Sequence, residues 1–573
     1  MTVTPTSPDR TVRLGDFSTL TQALDFAALG PTGINLYTLR GELACALPYA
    51  TLRDEARALA GRLLAAGLTP GDRVGLAAET DADFVRAFFA CQYAGLIPAP
   101  LPLPAPLGGK AAYVEQIGRM LAGAQAAAVF GPEPLAPWLQ EAAEIAGAWL
   151  TGTVAALPQA AGDVALPQVQ PDDTCYLQFS SGSTRFPTGV VVTHRALMAN
   201  ARAITRDGLQ VTAADRAVSW LPLYHDMGLV GFLLSPLAAQ MTIDLLPTGA
   251  FVRRPLLWLD LIGRNGGTIS YSPTFGYELC ARRAETAGVA GLNLAGWRVA
   301  GVGGDMVRAR PLTDFAARFA EAGFDACAYV ASYGMAEATL GLTMAPLGKG
   351  LRAETLDVER LEREAVAVPA AAAERRRAFA RCGPVLPDHE LEVRDEAGAV
   401  LAERQVGRIF VRGPSLMHGY FRQPEETERV MSADGWLDTG DLGFLTEGEI
   451  VPTGRAKDLI LVNGRNVWPQ DLEWSAEAEI EALRSGDVAA ISVTAVDDEA
   501  VVILVQCRTS APEPRAKLVE DVTALMRARH GLETKVQLVG AHALPQTSSG
   551  KLSRSKAKTL FLAGAFGAAA ETV

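Results

Sequence analysis

The stretch Thr51 to Ala77, TLRDEARALAGRLLAAGLTPGDRVGLA, decides the architecture. Leu52, Ala56, Leu59, Leu63 and Leu64 recur at the spacing of one helical face, which predicts a helix running to about Gly67. The stretch Leu68-Thr-Pro-Gly-Asp-Arg-Val-Gly-Leu-Ala77 then carries a turn signal and passes into a short apolar strand. The rhythm continues downstream: Ala82 to Tyr93 has a helical pattern, Ile97 to Leu103 an extended one, Tyr113 to Gly123 a helical one, and Ala127 to Phe130 reads as a strand. Alternating elements of this kind bury their apolar faces by stacking helices on a sheet, so the first half reads as a layered α/β body.

From Leu391 the texture changes to short alternating runs, LEVRDEAGAVLAERQVGRIFVRGPS, with a hairpin expected at Glu396-Ala-Gly-Ala399. Between Pro346 and Pro384 lies a segment rich in Ala, Arg and Glu with a Pro in its middle. On charge pattern alone it reads as a solvated helical connector or an inserted surface element. Toward the end, Val488 to Thr494 and Ala500 to Cys507 read as strands and Ala516 to Arg529 as a helix, a small terminal α/β unit. No repeat of solenoid period is present.

With 573 residues the chain has room for about four units of ordinary size. Hydrophobic residues make up 49% and charged residues 20%, the balance of a folded globular protein. Acidic residues number 64 against 52 basic, a net charge of −12, and no dense Lys/Arg stripe is present, which argues against nucleic acid as a ligand. The seven cysteines are scattered and never spaced Cys-x-x-Cys, so neither a disulfide framework nor a zinc ribbon is expected, and a reducing cytoplasm fits. Met1 to Ser18 lacks the basic start and apolar run of a signal peptide. The most apolar stretch, Met227 to Ala239, is too short to span a bilayer.

Five clusters could carry chemistry. Tyr176 to His194, YLQFSSGSTRFPTGVVVTH, reads as strand, Ser/Thr/Gly loop, strand, and its small residues would let N–H groups and hydroxyls crowd around a polyphosphate. It is not a Walker A loop. Ser219 to Leu229 sets His225 beside Asp226, and Ala331 to Thr339 carries Tyr333, able to stack on a flat ring, and Glu337, an oxygen ligand suited to Mg²⁺. Asp438-Thr-Gly-Asp441, followed by Arg455, could hold a ribose, and Pro545 to Arg554 presents Lys551 in a Gly/Ser loop. Taken singly, each is equally an ordinary polar turn or a structurally bonded side chain.

Taken together and in this order, the clusters resemble the adenylate-forming superfamily of acyl-CoA synthetases, luciferases and peptide-synthetase adenylation domains, over about Leu20 to Gly564. More narrowly the chain looks like a fatty acyl-AMP ligase. Where most acyl-CoA synthetases carry T-S-G-[ST]-T-G-x-P-K-G, this chain has Arg185 at the usual Gly and Thr188 at the usual Lys, a departure that resembles the ligases. Ser272-Pro-Thr-Phe-Gly-Tyr-Glu-Leu-Cys280 also looks like the ligase version, and Pro346 to Pro384 falls where those enzymes have an insertion.

The resemblance implies an α/β enzyme with a large N-terminal adenylation domain, 1–456, of two layered α/β subdomains plus a β-rich subdomain at 385–456, the insertion at 346–384, and a small mobile α/β domain at 457–573. It implies ATP and Mg²⁺. Ser180, Ser181, Gly182, Ser183 and Thr184 would hold the β- and γ-phosphates. Gly303, Gly304, Asp305, Ser332, Tyr333, Gly334 and Met335 would frame adenine, and Asp441 and Arg455 would bind ribose. Glu337 would take the metal ion, His225 would lie beside the carboxylate, Lys551 would reach the reacting oxygens, and Lys457 would stand at the hinge. A Thr usual before the glutamate is replaced by Ala336, so its hydroxyl contact is in doubt. Phe251, Trp258, Phe275 and Tyr277 would line an alkyl pocket. The expected activity is conversion of a medium- or long-chain fatty acid to acyl-AMP, then transfer to the pantetheine thiol of an acyl carrier protein or of a carrier domain in a polyketide or peptide synthase. The alternatives are a fatty acyl-CoA synthetase and a non-catalytic scaffold of a lipid-assembly pathway.

Overall fold

The computed structural model describes residues 12–104, 109–159, 162, 164–180, 188–371, 373, 375–462, 465–494, 499–546 and 552–566. The first helix of the deciding stretch spans Tyr49–Ala65 and buries Leu52, Ala56, Leu59 and Leu63, leaving Leu64 at its margin. Asp72 closes the turn after it by accepting the N–H and hydroxyl of Thr69 at 2.8 and 2.9 Å. Arg73–Ala77 then runs parallel between Ile97–Leu101 and Ala126–Phe130, and Leu150–Gly152 completes a four-stranded parallel sheet.

A second sheet has eight strands in the order Gly341–Met344, Tyr329–Gly334, Val299–Val302, Ile269–Ser272, Arg216–Ser219, Thr242–Leu245, Gly33–Tyr37 and Leu43–Pro48. Its inner pairings are parallel and the outermost pairing on each edge is antiparallel. At its middle Asp244, wholly buried, accepts two bonds from Arg216 at 2.6 and 2.9 Å, one from the Asn35 amide at 2.9 Å and one from the Tyr37 hydroxyl at 3.1 Å. These partners come from the strands on either side, so one fully bonded carboxylate ties three strands together.

A third, antiparallel sheet joins Thr174–Ser180, Thr188–Thr193 and Gly419–Tyr420. The β-rich region is a four-stranded antiparallel sheet of Glu390–Arg394, Gly407–Arg412, Leu437–Thr446 and Glu449–Arg455. The turn read around Glu396 is present: the Asp395 carboxylate accepts the N–H groups of Ala397 and Ala399, and Gly398 takes φ +86°. The strand paired with Glu390–Arg394 is nevertheless Gly407–Arg412, so the connection is longer than that turn.

The segment between Pro346 and Pro384 is not the solvated helical connector its charge pattern suggests. Ala353–Asp357 and Arg376–Ala380 pair antiparallel around a short helix, Val358–Glu364. Leu356, Leu361, Ala367 and Phe379 are buried in one cluster with Phe444, Val451 and Trp468. The pattern misleads because several of its charges pair inward: the wholly buried Glu362 side chain is held by Arg375 at 2.7 Å and by Arg465 at 2.8 Å, and buried Arg377 pairs with buried Asp471.

The terminal unit forms a three-stranded sheet of Val488–Thr494, Glu499–Cys507 and Thr534–Gly540 with helices Pro469–Glu479, Pro512–Leu525 and Arg554–Leu562. It has its own core around Leu472, Ala490, Ile503, Val505 and Val522. Among the described residues no helix is long and apolar enough to cross a membrane. Asp244→Ala, which strands the Arg216 guanidinium in the sheet centre, is expected to lower the unfolding free energy by about 3–5 kcal/mol. Urea unfolding followed by tryptophan fluorescence measures it, and a midpoint within experimental error of the parent would refute the assignment.

Candidate active site

Three parallel strands, Ile269–Ser272, Val299–Val302 and Tyr329–Gly334, end side by side, and the crevice beyond the carboxyl ends of such strands is where α/β proteins bind ligands. Their packing requires a glycine: a Cβ on Gly301 would collide with the ring of Tyr271. The Tyr277 hydroxyl donates to the Gly301 carbonyl at 2.8 Å, and the Tyr271 hydroxyl lies 3.2 Å from Ser332 Oγ. The chain then turns at Gly303 and Gly304, the latter at φ +76°, with Met227 Cε 3.1 Å from where a Cβ would stand. The glycine pair and the segment following His225 are thus neighbours.

His225 caps the short helix Asp226–Leu229. Its Nδ1 lies 2.6 Å from Asp226 Oδ1, while the Met227 N–H is 2.6 Å from that same oxygen and 3.3 Å from Nδ1. Both ring contacts fall on the Nδ1 edge, and Nε2 makes neither of them. Gln178 ties this loop to the third sheet, its amide donating to the Tyr224 carbonyl at 2.8 Å.

The Tyr333 hydroxyl donates to Asp441 Oδ2 at 2.8 Å, and Asp441 pairs across its hairpin with Arg455 at 3.4 Å. Burial, then the Asp441 charge, holds the Tyr333 phenol well above its ordinary pKa, so it stays a donor. The residues expected at adenine and at ribose therefore meet across two sheets. Glu337, 6% exposed, sits in the turn Ala336–Ala338, where its Oε1 accepts the Tyr420 hydroxyl at 3.0 Å and stands 3.4 Å from Ser180 Oγ. Burial raises the pKa of this carboxyl. The hydroxyl absent at Ala336 is not supplied by Thr339, which spends its own on the Ser415 carbonyl at 2.7 Å. Lys457 follows Arg455 in the turn Ala456–Asp458, and burial, then the Arg455 charge, lowers its pKa. Asp458 in turn pairs with Arg554 at 3.0 Å. Ser181, Gly182, Ser183, Thr184, Arg185 and Lys551 lie outside the described residues.

The aromatic residues require a correction. Phe251, Trp258 and Tyr277 are wholly buried: Phe251 stacks on Trp220 at 3.7 Å, and Trp258 lies edge-on to Tyr277 at 5.5 Å and to Trp297 at 5.2 Å. The Trp258 indole N–H is spent on Ser270 Oγ at 2.8 Å. These rings are packed core instead of the lining of an open alkyl slot, and of the four only Phe275 is partly exposed. Aromatic type does not separate the two, since both environments reward a large apolar ring. Sequence reasoning also passed over Tyr420, Gln178 and Tyr271. No local spacing marks Tyr420: it meets Glu337 only because Gly419–Tyr420 pairs with the strand Thr188–Thr193.

Residues 39–421 match the family model of the AMP-binding enzymes. The chain belongs to that family and is an adenylate-forming ligase. Within it, the relatives and structural neighbours include fatty acyl-AMP ligases. The chain is 32% identical to the medium-chain-fatty-acid–[acyl-carrier-protein] ligase JamA of Moorena producens, over 96% of each. It is 68% identical, over 99% of each, to a Caulobacter vibrioides protein whose name, acyl-CoA synthetase, is provisional. A solved structure from work on the fatty acyl-adenylate ligases of E. coli and L. pneumophila is 44% identical, with a TM-score of 0.93 over 97% of this chain and 100% of that one.

Because the folded-state pKa of Glu337 lies above its unfolded value, its contribution to stability is fully present below the ordinary carboxyl range and is lost as pH rises through the folded value. Glu337→Gln, neutral at every pH, should therefore melt with the parent near pH 4 and above it near pH 8, both measured without nucleotide or metal ion. A variant that melts lower at pH 8 would contradict the burial argument.

Proposed function

We propose that the chain activates a medium- or long-chain fatty acid as acyl-AMP and hands the acyl group to the pantetheine thiol of an acyl carrier protein or carrier domain. The observation that carries this reading is the meeting of Tyr333, Asp441 and Arg455 with Glu337, Ser180 and the His225 loop beside one set of strand ends. A carboxylate is a poor acyl donor because its oxygen leaves badly, and adenylation makes it a good one. The carboxylate oxygen attacks the α-phosphorus, the bond to the bridging oxygen breaks, and pyrophosphate leaves. In the second step the thiol sulfur attacks the acyl carbon, its proton is released and AMP departs.

The roles follow from chemistry at each position. Asp441 offers oxygens to ribose hydroxyls, with Tyr333 and Arg455 fixing its carboxylate. Gly303, Gly304, Asp305 and Ser332 to Met335 border the adenine. Ser180 to Thr184 take the departing phosphates by their motif, since donors aimed at developing charge are most effective there. A divalent ion at Glu337 would neutralise phosphate charge, and one carboxylate plus phosphate oxygens is the donor set Mg²⁺ ordinarily takes. His225, with Nε2 free of the Asp226 contact, orients the acid. Lys551 supplies positive charge to the reacting oxygens. The acyl chain runs past Phe275, the one of the four rings that is partly exposed.

We divide the chain at Lys457, with 1–456 as the adenylation domain and 457–573 turning about that hinge between half-reactions. The insertion at 346–384 restrains the turn through Glu362–Arg465 and Arg377–Asp471. We place the enzyme in a reducing compartment such as the cytoplasm, where the thiols of its free cysteines would stay unpaired. A second reading, acyl-CoA synthesis, rests on the name of the Caulobacter relative.

Mass spectrometry after incubation with ATP, Mg²⁺, a ladder of fatty acids and either coenzyme A or phosphopantetheinylated carrier protein separates the readings. Acyl-adenylate that is discharged only by carrier protein is expected. Abundant acyl-CoA would replace this reading with the synthetase, and no adenylate with any acid would leave a scaffold. Lys551→Ala is expected to fold normally and to slow pyrophosphate release by at least about 100-fold, and retained release would remove the lysine from the mechanism. Deleting 347–384 is expected to raise turnover of coenzyme A, and unchanged turnover would count against the restraint.

A further inference from the structure

A patch of the large domain combines exposed aliphatic and cationic side chains in a chain whose net charge is −12. It comprises the tip joining Gly33–Tyr37 to Leu43–Pro48, the end of the helix Thr248–Arg253, and the outer face of the helix Thr274–Ala287. Direct contacts make these one surface. Arg254 donates to the Leu39 carbonyl at 3.1 Å, Arg264 donates to the Gly41 carbonyl, and Cys280 Sγ lies 3.6 Å from the Pro255 carbonyl. A concavity of about 320 Å³ is lined by Val252, Arg253, Pro255, Leu279, Arg282 and Arg283.

Three aliphatic side chains stand out of this surface: Leu39 is 48% exposed, Leu43 36% and Val252 59%. Around them lie Arg40, Arg253, Arg254, Arg282 and Arg283, all exposed. Among the described residues no carboxylate lies within ion-pair distance of Arg253, Arg282 or Arg283. Of the acids on the same segments, Asp260 is paired with Arg264 and Glu278 with Arg308, which leaves Glu42 and Glu285 against five guanidinium groups.

We propose that this patch docks the protein on an anionic lipid surface. Unpaired guanidinium groups are drawn to acidic headgroups, while short aliphatic side chains enter the boundary between headgroup and acyl chain. A protein partner is the weaker fit, because interface hot spots centre on aromatic or arginine anchors seated in packed pockets, whereas here the apolar groups are aliphatic and protrude. The helix that shows Val252 outward turns Phe251 inward against Trp220, so the docked face lies one helix away from the rings beneath the His225 loop. The proposal does not depend on which thiol accepts the acyl group.

The test is co-sedimentation of the full chain with vesicles of phosphatidylglycerol and phosphatidylcholine, against vesicles of phosphatidylcholine alone. Binding is expected only to the acidic vesicles and should weaken as salt rises. The triple variant R253Q/R282Q/R283Q should bind about 100-fold more weakly, roughly five-fold for each guanidinium removed, and L39D/V252D should also lose binding. Adenylate formation with a short, water-soluble acid should be unchanged in both variants, which separates failure of docking from failure of the fold or of the enzymatic reading. The proposal is overturned if the parent ignores acidic vesicles at low salt, if it binds neutral ones equally, or if the triple variant binds like the parent. It is also overturned if the variants lose acyl transfer to an acidic carrier protein while the parent binds no vesicle.

Discussion

The structure turns on one buried carboxylate. Glu337 leaves the edge region of the eight-stranded sheet in a tight turn and accepts the hydroxyl of Tyr420, close to Ser180 Oγ. Those partners belong to the antiparallel sheet of Thr174–Ser180, Thr188–Thr193 and Gly419–Tyr420. The Met417 N–H donates to the Glu337 carbonyl at 2.8 Å, so backbone and side chain both join the two sheets. Keeping such a group out of water is unfavourable to its charged form, and the raised pKa is the sign of that cost. A position where ionisation is disfavoured until a cation arrives suits the metal-binding role we propose for it.

Around it, other buried charges connect segments far apart in the chain. Asp244 joins three strands of the large sheet, and Glu362 and Arg377 join the insertion to Arg465 and Asp471 of the terminal unit. Arg554 joins Asp458 to Glu473. Such pairs add little net stability over well-packed apolar groups, but breaking one partner leaves a stranded charge, so they hold orientation strictly. The orientation they hold is that of the terminal unit against the insertion, the arrangement on which restraint of a hinge at Lys457 would act.

Much of this was legible in the sequence. The helix from Leu52, the short strand that follows it, the β-rich region from Leu391 and the terminal α/β unit all stand where periodicity placed them, within a few residues at their ends. The ordered clusters around Ser180, His225, Tyr333 and Asp441 pointed to the family, and the family model and full-length relatives establish it. What misled was composition read without depth. The charged run near Glu362 looked solvated and is folded inward, and Phe251, Trp258 and Tyr277 looked like pocket lining and are core.

The sequence by itself determined the element types and the chemical groups available, because local periodicity and residue chemistry are carried by neighbours along the chain. Tertiary structure alone decided which groups meet. Tyr420 reaches Glu337 from 83 residues away, and Tyr333 reaches Asp441 from 108 away, through the pairing and packing of separate sheets. It also decided that Arg253, Arg282 and Arg283 share one uncompensated surface with Val252 while Glu362 and Asp471 found partners inside. Burial and long-range pairing depend on how elements close over one another, a quantity that no local spacing encodes.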